Sequence, residues 1–162
     1  MSLTESISQA IATMEGFFKP GSVAERNNNP GNLRSWGTRP IANGYAVFES
    51  PEAGWAALRQ QVNLNIGRGL SLQEFFGGKP GVYAGYAPAA DKNDPTGYAV
   101  YVATRVGLDP SIPLNSVPVP GEPQVFALIG SDDGVSEAGV IEWPTLALLG
   151  LVGLGLWLAF SD

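Results

Sequence analysis

MEGFFKPGSVAERNNNPGNLR, Met14 to Arg34, is the stretch on which the reading of this chain turns. It overlaps the end of an apolar stripe at helical spacing, Ile7, Ile11, Met14 and Phe18, and Ser2 with Glu5 fits the capping box that opens a helix. The spacing therefore predicts a helix over residues 3–18. At about 100° per residue, Glu15 falls roughly 60° from the middle of the stripe, one turn after Ile11. A carboxyl at the edge of a buried face has its charged form disfavoured and its pKa raised. The negative end of the helix dipole acts in the same direction. Both effects favour a neutral acid able to protonate a leaving oxygen. The competing reading is a glutamate that reaches solvent from an ordinary helix end followed by an ordinary loop.

Residues 19–48 are dense in Gly, Pro and Asn and read as loops, with a small hairpin at Asn43-Gly44 and a short strand in YAVF. Ser50-Pro51-Glu52 opens a second helix that carries Trp55, Leu58 and Val62 on one face and ends at Gly67 and Gly69. Ser71 and Glu74 repeat the capping-box spacing before SLQEFF, which stops at Gly77-Gly78. Asp94-Pro95 begins a further helix with Tyr98, Val102 and Val106 on one stripe and Gly107 as its stop. After Leu108 the composition shifts to DPSIPLNSVPVPGEPQ, a semi-rigid spacer, and then to the acidic SDDGVSEAG. The expected organisation is a domain over 1–114, a Pro-rich, acidic linker over 115–141 and a C-terminal transmembrane helix over 142–162 that acts as a membrane anchor.

That last segment, WPTLALLGLVGLGLWLAF, runs from Trp143 to Phe160 without a charge, long enough to cross a bilayer. Trp143 and Trp157 lie near its two ends, as interfacial anchors do. A buried helix of a soluble protein is the competing reading, weakened by the lack of a polar face.

All nine Lys and Arg lie between Lys19 and Arg105, matched by nine acids from Glu5 to Asp109. The other six acids, Glu122 to Asp162, have no base among them. Such a distribution offers no basic patch for nucleic acid. Cysteine and histidine are both absent, which excludes thiol nucleophiles, Ser-His-Asp catalysis and thiolate or imidazole zinc sites. No cofactor or metal site is expected. Chemistry would then rest on carboxylates, hydroxyls, amides, Lys or Arg.

Near Glu15 in sequence, Asn27, Asn28, Asn29 and Asn32 offer amides suited to sugar hydroxyls or acetamido groups, although asparagine equally suits left-handed turns. Trp36, Tyr45, Tyr83, Tyr86 and Tyr98 either stack on sugar faces or fill the core. A hydrolytic glycosidase usually needs a second carboxylate. Glu25 and Glu49 are the nearest in sequence, and Asp94 reads better as an N-cap.

Four segments carry a resemblance: MEGF, AERNNNPGNLR, GYAVFESPEAGWAAL and YAPAADKNDPTGYAVYVATRVGLD. In this order, over roughly residues 4–114, they resemble virion-associated lytic transglycosylases of phages, in the superfamily of goose-type lysozyme and soluble lytic transglycosylases. The resemblance implies a mainly α, α+β lysozyme-like fold and makes Glu15 the catalytic acid and base. It implies that Asn32 and Leu33 line the cleft and that Tyr86 and Tyr98 lie near the glutamate. Asn29, in the same loop, joins them as an expected substrate contact. The chain departs from the family where Glu-Ser becomes Glu15-Gly16 and Gly-Leu-Met-Gln becomes Gly31-Asn32-Leu33-Arg34.

The expected activity is peptidoglycan cleavage at the bond between N-acetylmuramic acid and N-acetylglucosamine, with a 1,6-anhydro product. Expected partners are glycan strands, a bilayer through residues 143–160 and other virion proteins. The expected location is the internal membrane of a phage virion, with a bacterial inner membrane as the alternative. A hydrolytic muramidase and a non-catalytic peptidoglycan-binding protein are the rival functions.

Overall fold

A computed structural model describes residues 1–118. Among them the fold is mainly helical with one two-stranded antiparallel hairpin. Helix α1 (Leu3–Met14) starts at Ser2, whose side chain accepts from the Glu5 N–H. It stops four residues short of the predicted end. Gly16 takes φ +74°, its N–H donates to the Thr13 carbonyl (3.2 Å) and the Phe17 N–H to the Ala12 carbonyl (2.9 Å). This paired closure satisfies the last carbonyls of the helix and turns the chain sharply away. Phe18 is consequently not a core residue and is 58% exposed, beside Trp55.

A short helix absent from the expectations follows, α2 (Val23–Arg26), in the stretch read as loop. Its signal was present in the sequence: the Ser22 side chain accepts from the Glu25 N–H at the usual N-cap spacing. The hairpin comprises β1 (Ile41–Ala42) and β2 (Tyr45–Ala46), with Ala42 opposite Tyr45 and Ile41 opposite Ala46. Asn43 and Gly44 both have positive φ, as a two-residue type I′ turn requires.

Helix α3 (Pro51–Gly67) opens at Ser50 as its cap and Pro51 imply. Both hydrogen bonds of the Ser71–Glu74 capping box form at the start of α4 (Leu72–Gly77). Helix α5 (Pro95–Val106) is capped by Asp94, which accepts from the Gly97 N–H, and is closed by Gly107 at φ +71°. Helix α1 packs on α3 and α5, and α4 on α5. Ile7, Ile11, Leu58, Val62, Phe75, Phe76 and Val102 fill the space between them. A smaller cluster of Leu33, Ala46, Phe48 and Ala57 joins the hairpin to α3.

Leu114, expected at the domain edge, is buried; its N–H donates to the Leu70 carbonyl and it begins a 3-10 turn, Leu114–Ser116. Of the described residues that follow it, Asn115, Ser116 and Pro118 are exposed and Val117 is half-buried. The expected linker from residue 119 onward and the expected anchor lie outside the described residues. No helix among the described residues is long and apolar enough to cross a membrane.

Candidate active site

The three consecutive asparagines fix one wall of the site without forming its surface. The Asn27 side chain donates to the Ala42 carbonyl (3.0 Å) and that of Asn28 to the Phe48 carbonyl (3.0 Å). The Asn29 amide donates to both the Leu33 and the Ala46 carbonyls and accepts from the Leu33 N–H, each at 2.9 Å. Backbone bonds from Ala46 N–H to the Leu33 carbonyl and from Phe48 N–H to the Asn27 carbonyl complete the attachment. Residues 27–33 are thereby laid along the hairpin as a third edge.

Asn29 is fully buried with its donors and its acceptor engaged, so the expected substrate contact is corrected: Asn29 builds the wall and does not line the cleft. Buried amides are retained when every polar atom finds a partner, which is the condition met here.

Past this wall the chain reaches Gly31, with no room for a side chain. A Cβ at Gly31 would lie 2.7 Å from the Tyr86 hydroxyl and 2.8 Å from Leu58 Cδ1. The Tyr86 hydroxyl donates to the Gly31 carbonyl, fixing loop 79–88 against loop 27–33. Asn32 then takes φ +45°, which asparagine tolerates. Its Nδ2 donates to Glu15 Oε2 at 2.9 Å.

Glu15 is the C-cap residue of α1 and opens on a cleft of about 330 Å³. Asn32, Leu33, Tyr86 and Tyr98, the other expected contacts, all line it. Their parts differ. Leu33 is a buried floor residue, the Tyr86 hydroxyl is engaged by Gly31, and the Tyr98 ring lies against Phe76 at 5.6 Å between centroids. Trp36, Tyr45 and Tyr83 also line the cleft, so its walls are aromatic and amide-bearing.

Burial pushes the Glu15 carboxyl above its ordinary value of 4.5, partly opposed by the Asn32 donor. Desolvation is the main cause, as the position beside the apolar stripe implied. Burial also raises the Tyr86 and Tyr98 hydroxyls, and the negative charge of Glu15 adds to both. Two further aromatic hydroxyls therefore stay protonated around the acid.

Glu15 is the only carboxylate lining the cleft among the described residues. Glu25 is exposed and accepts from the Gly21 N–H, Glu49 pairs with Arg39, and Asp94 caps α5. The lining cation, Arg34, is tied to Asp91 at 3.3 Å.

Gln61, on α3, is a lining residue that sequence reading passed over; its Nε2 donates to the Tyr83 hydroxyl at 2.8 Å. Leu58, Gln61, Val62 and Asn65 share one helix face, and two amides on an apolar face were the available signal. Arg34, Ser35 and Asn93 also line the cleft from segments with no periodicity to read. The described residues hold no group of acids that would bind a metal ion. Comparison of the chain with protein-family models, with curated proteins and with solved structures finds no match.

Proposed function

We propose that this protein is a lytic transglycosylase acting on peptidoglycan glycan strands. The observation that carries the reading is a single half-buried carboxyl, raised in pKa, facing an open cleft with no second carboxylate on its walls among the described residues. Hydrolysis with two carboxylates lacks its second member there. The 1,6-anhydro route needs one. Glu15 gives its proton to the oxygen between N-acetylmuramic acid and N-acetylglucosamine as the C1–O bond breaks. The resulting carboxylate then takes the proton of the muramoyl C6 hydroxyl as O6 bonds to C1, closing the ring without water. The aromatic and amide walls suit a glycan, whose faces stack on rings and whose hydroxyls and acetamido groups bond to amides.

The wider setting is part of the proposal. Residues 143–160 hold the enzyme to a bilayer, and the location is the internal membrane of a phage virion, where local wall opening accompanies genome delivery. Other virion proteins would be its neighbours.

The test is mass spectrometry of purified peptidoglycan after incubation with the full chain in mild detergent. Anhydromuramoyl products are expected. Reducing ends would make the protein a muramidase, and no products would make it a binding module. Glu15→Gln, which keeps the shape and removes the transferable proton, is expected to lower product formation by about 100-fold or more; an unimpaired variant would refute the assignment of Glu15.

A further inference from the structure

The Glu15–Asn32 pair contains an asymmetry that acid–base chemistry can use. Nδ2 of Asn32 donates to Oε2 of Glu15, while Oδ1 of Asn32 is shut off from solvent and has no partner among the described residues. Turning the amide over would put the NH2 group, with its two donors, in that partnerless position. Buried N–H groups without acceptors are rarer than under-satisfied carbonyls, so the orientation with Nδ2 toward Glu15 is the favoured one. Because Oδ1 is closed off, it is not available to a ligand in the cleft. The amide therefore serves Glu15.

Its place is set by the backbone. Asn32 is in the left-handed region and its N–H donates to the Asn29 carbonyl at 3.0 Å, within the loop stapled to the hairpin. On Glu15, Oε1 has no hydrogen-bond partner among the described residues and is not among their buried, unpartnered atoms. A carboxyl oxygen that accepts an N–H bond takes the carbonyl or anionic role, which leaves the acid proton to the other oxygen.

We propose that Asn32 is a positioning residue that, by holding Oε2, directs the transferable proton of Glu15 to Oε1, the oxygen free to meet a substrate. This rests on the reading of Glu15 as a general acid. When Oε1–H gives its proton to the glycosidic oxygen, the Nδ2 donor stabilises the carboxylate that remains. When the C6 hydroxyl proton returns, the same bond directs it to Oε1 again. The other charged or titratable groups on the cleft are Arg34, paired with Asp91, and the hydroxyls of Tyr45, Tyr83, Tyr86 and Tyr98. None donates to Glu15 among the described residues.

Two variants suit the left-handed backbone and so separate this role from folding. Asn32→Asp replaces the donor with an acceptor, so a proton becomes shared at Oε2. Glu15 is then expected to titrate at higher pH in carbon-13 NMR of the full chain, yet kcat is expected to fall at least about tenfold at pH values where the acid is protonated. Asn32→Gly removes the amide and is expected to lower kcat with the same upward movement of the midpoint. A midpoint that rises while the rate is kept would reduce Asn32 to a tuner of acidity and overturn the proposal, as would variants equal to the parent in both measurements. Neutron diffraction from crystals of the full chain below the Glu15 midpoint gives a reading independent of turnover. Deuterium on Oε1 is expected, and deuterium on Oε2 overturns the proposal whatever the protein does to cell wall.

Discussion

At the scale of single residues, Glu15 sets folding against the chemistry proposed for it. Its native pKa lies above the ordinary 4.5, so the native state holds the proton more tightly than the unfolded chain. Stability from this group is then greatest below the unfolded value and falls as pH rises through the native one, where the ionised carboxyl must sit in a desolvated place. Glu15→Gln removes that cost. The variant is expected to melt at higher temperature than the parent at pH 7, with the gain vanishing as pH falls below 4.5, in calorimetric scans of the full chain across pH. An unchanged difference at all pH values would mean that the carboxyl is not desolvated. Asn29 is the opposite case, a polar residue that serves the fold alone. Asn29→Ala deletes three buried hydrogen bonds and leaves the Leu33 N–H without its acceptor, so a loss of roughly 3 kcal/mol is expected in urea unfolding. The position of Glu15 relative to the apolar stripe was legible in sequence. What each asparagine bonds to was not, because Asn27, Asn28 and Asn29 find partners at Ala42, Phe48 and Ala46, residues that only folding brings near.

At the scale of elements, local chemistry announced the helix starts well. Ser2, Ser50, Ser71 and Asp94 each accept from a backbone N–H three residues on, a signal contained within four residues. Helix α1 ends before its apolar stripe does, for an equally local reason. Phe18 continues the stripe arithmetically, yet Gly16 turns the backbone to positive φ before Phe18 can join it. Close approach between elements is where sequence rules mislead most. Gly54 lies inside α3, where Ala would be favoured by about 1 kcal/mol on helix propensity alone. A Cβ there would overlap the Asn28 carbonyl oxygen and press on Pro30, so α3 touches the cleft-wall loop through a bare backbone. Overpacking of that kind costs about 1–3 kcal/mol, more where the neighbour is backbone, and outweighs the propensity gain. Gly54→Ala is therefore expected to lower the urea midpoint, and a stabilised variant would show that the loop can retreat.

At the scale of the whole molecule, charge separates the chain into a balanced part and an acidic part, since all nine bases lie before residue 106. The proposed membrane attachment belongs to this scale, because it depends on the apolar run from Trp143 to Phe160 acting as a unit. Truncation after Ile141 is expected to release the protein from liposomes into the supernatant on flotation; continued co-flotation would assign membrane binding elsewhere. The sequence conveyed this division through composition, whereas the cleft required the hairpin, three helices and two loops to converge. The stapled wall has one further consequence. Residues 27–33 belong to no strand, yet the side chains of Asn27, Asn28 and Asn29 tie them to the carbonyls of Ala42, Phe48 and Ala46. A ligand of the proposed cleft would meet a wall already held by hydrogen bonds, so little of its contact energy would be diverted to freezing loose chain.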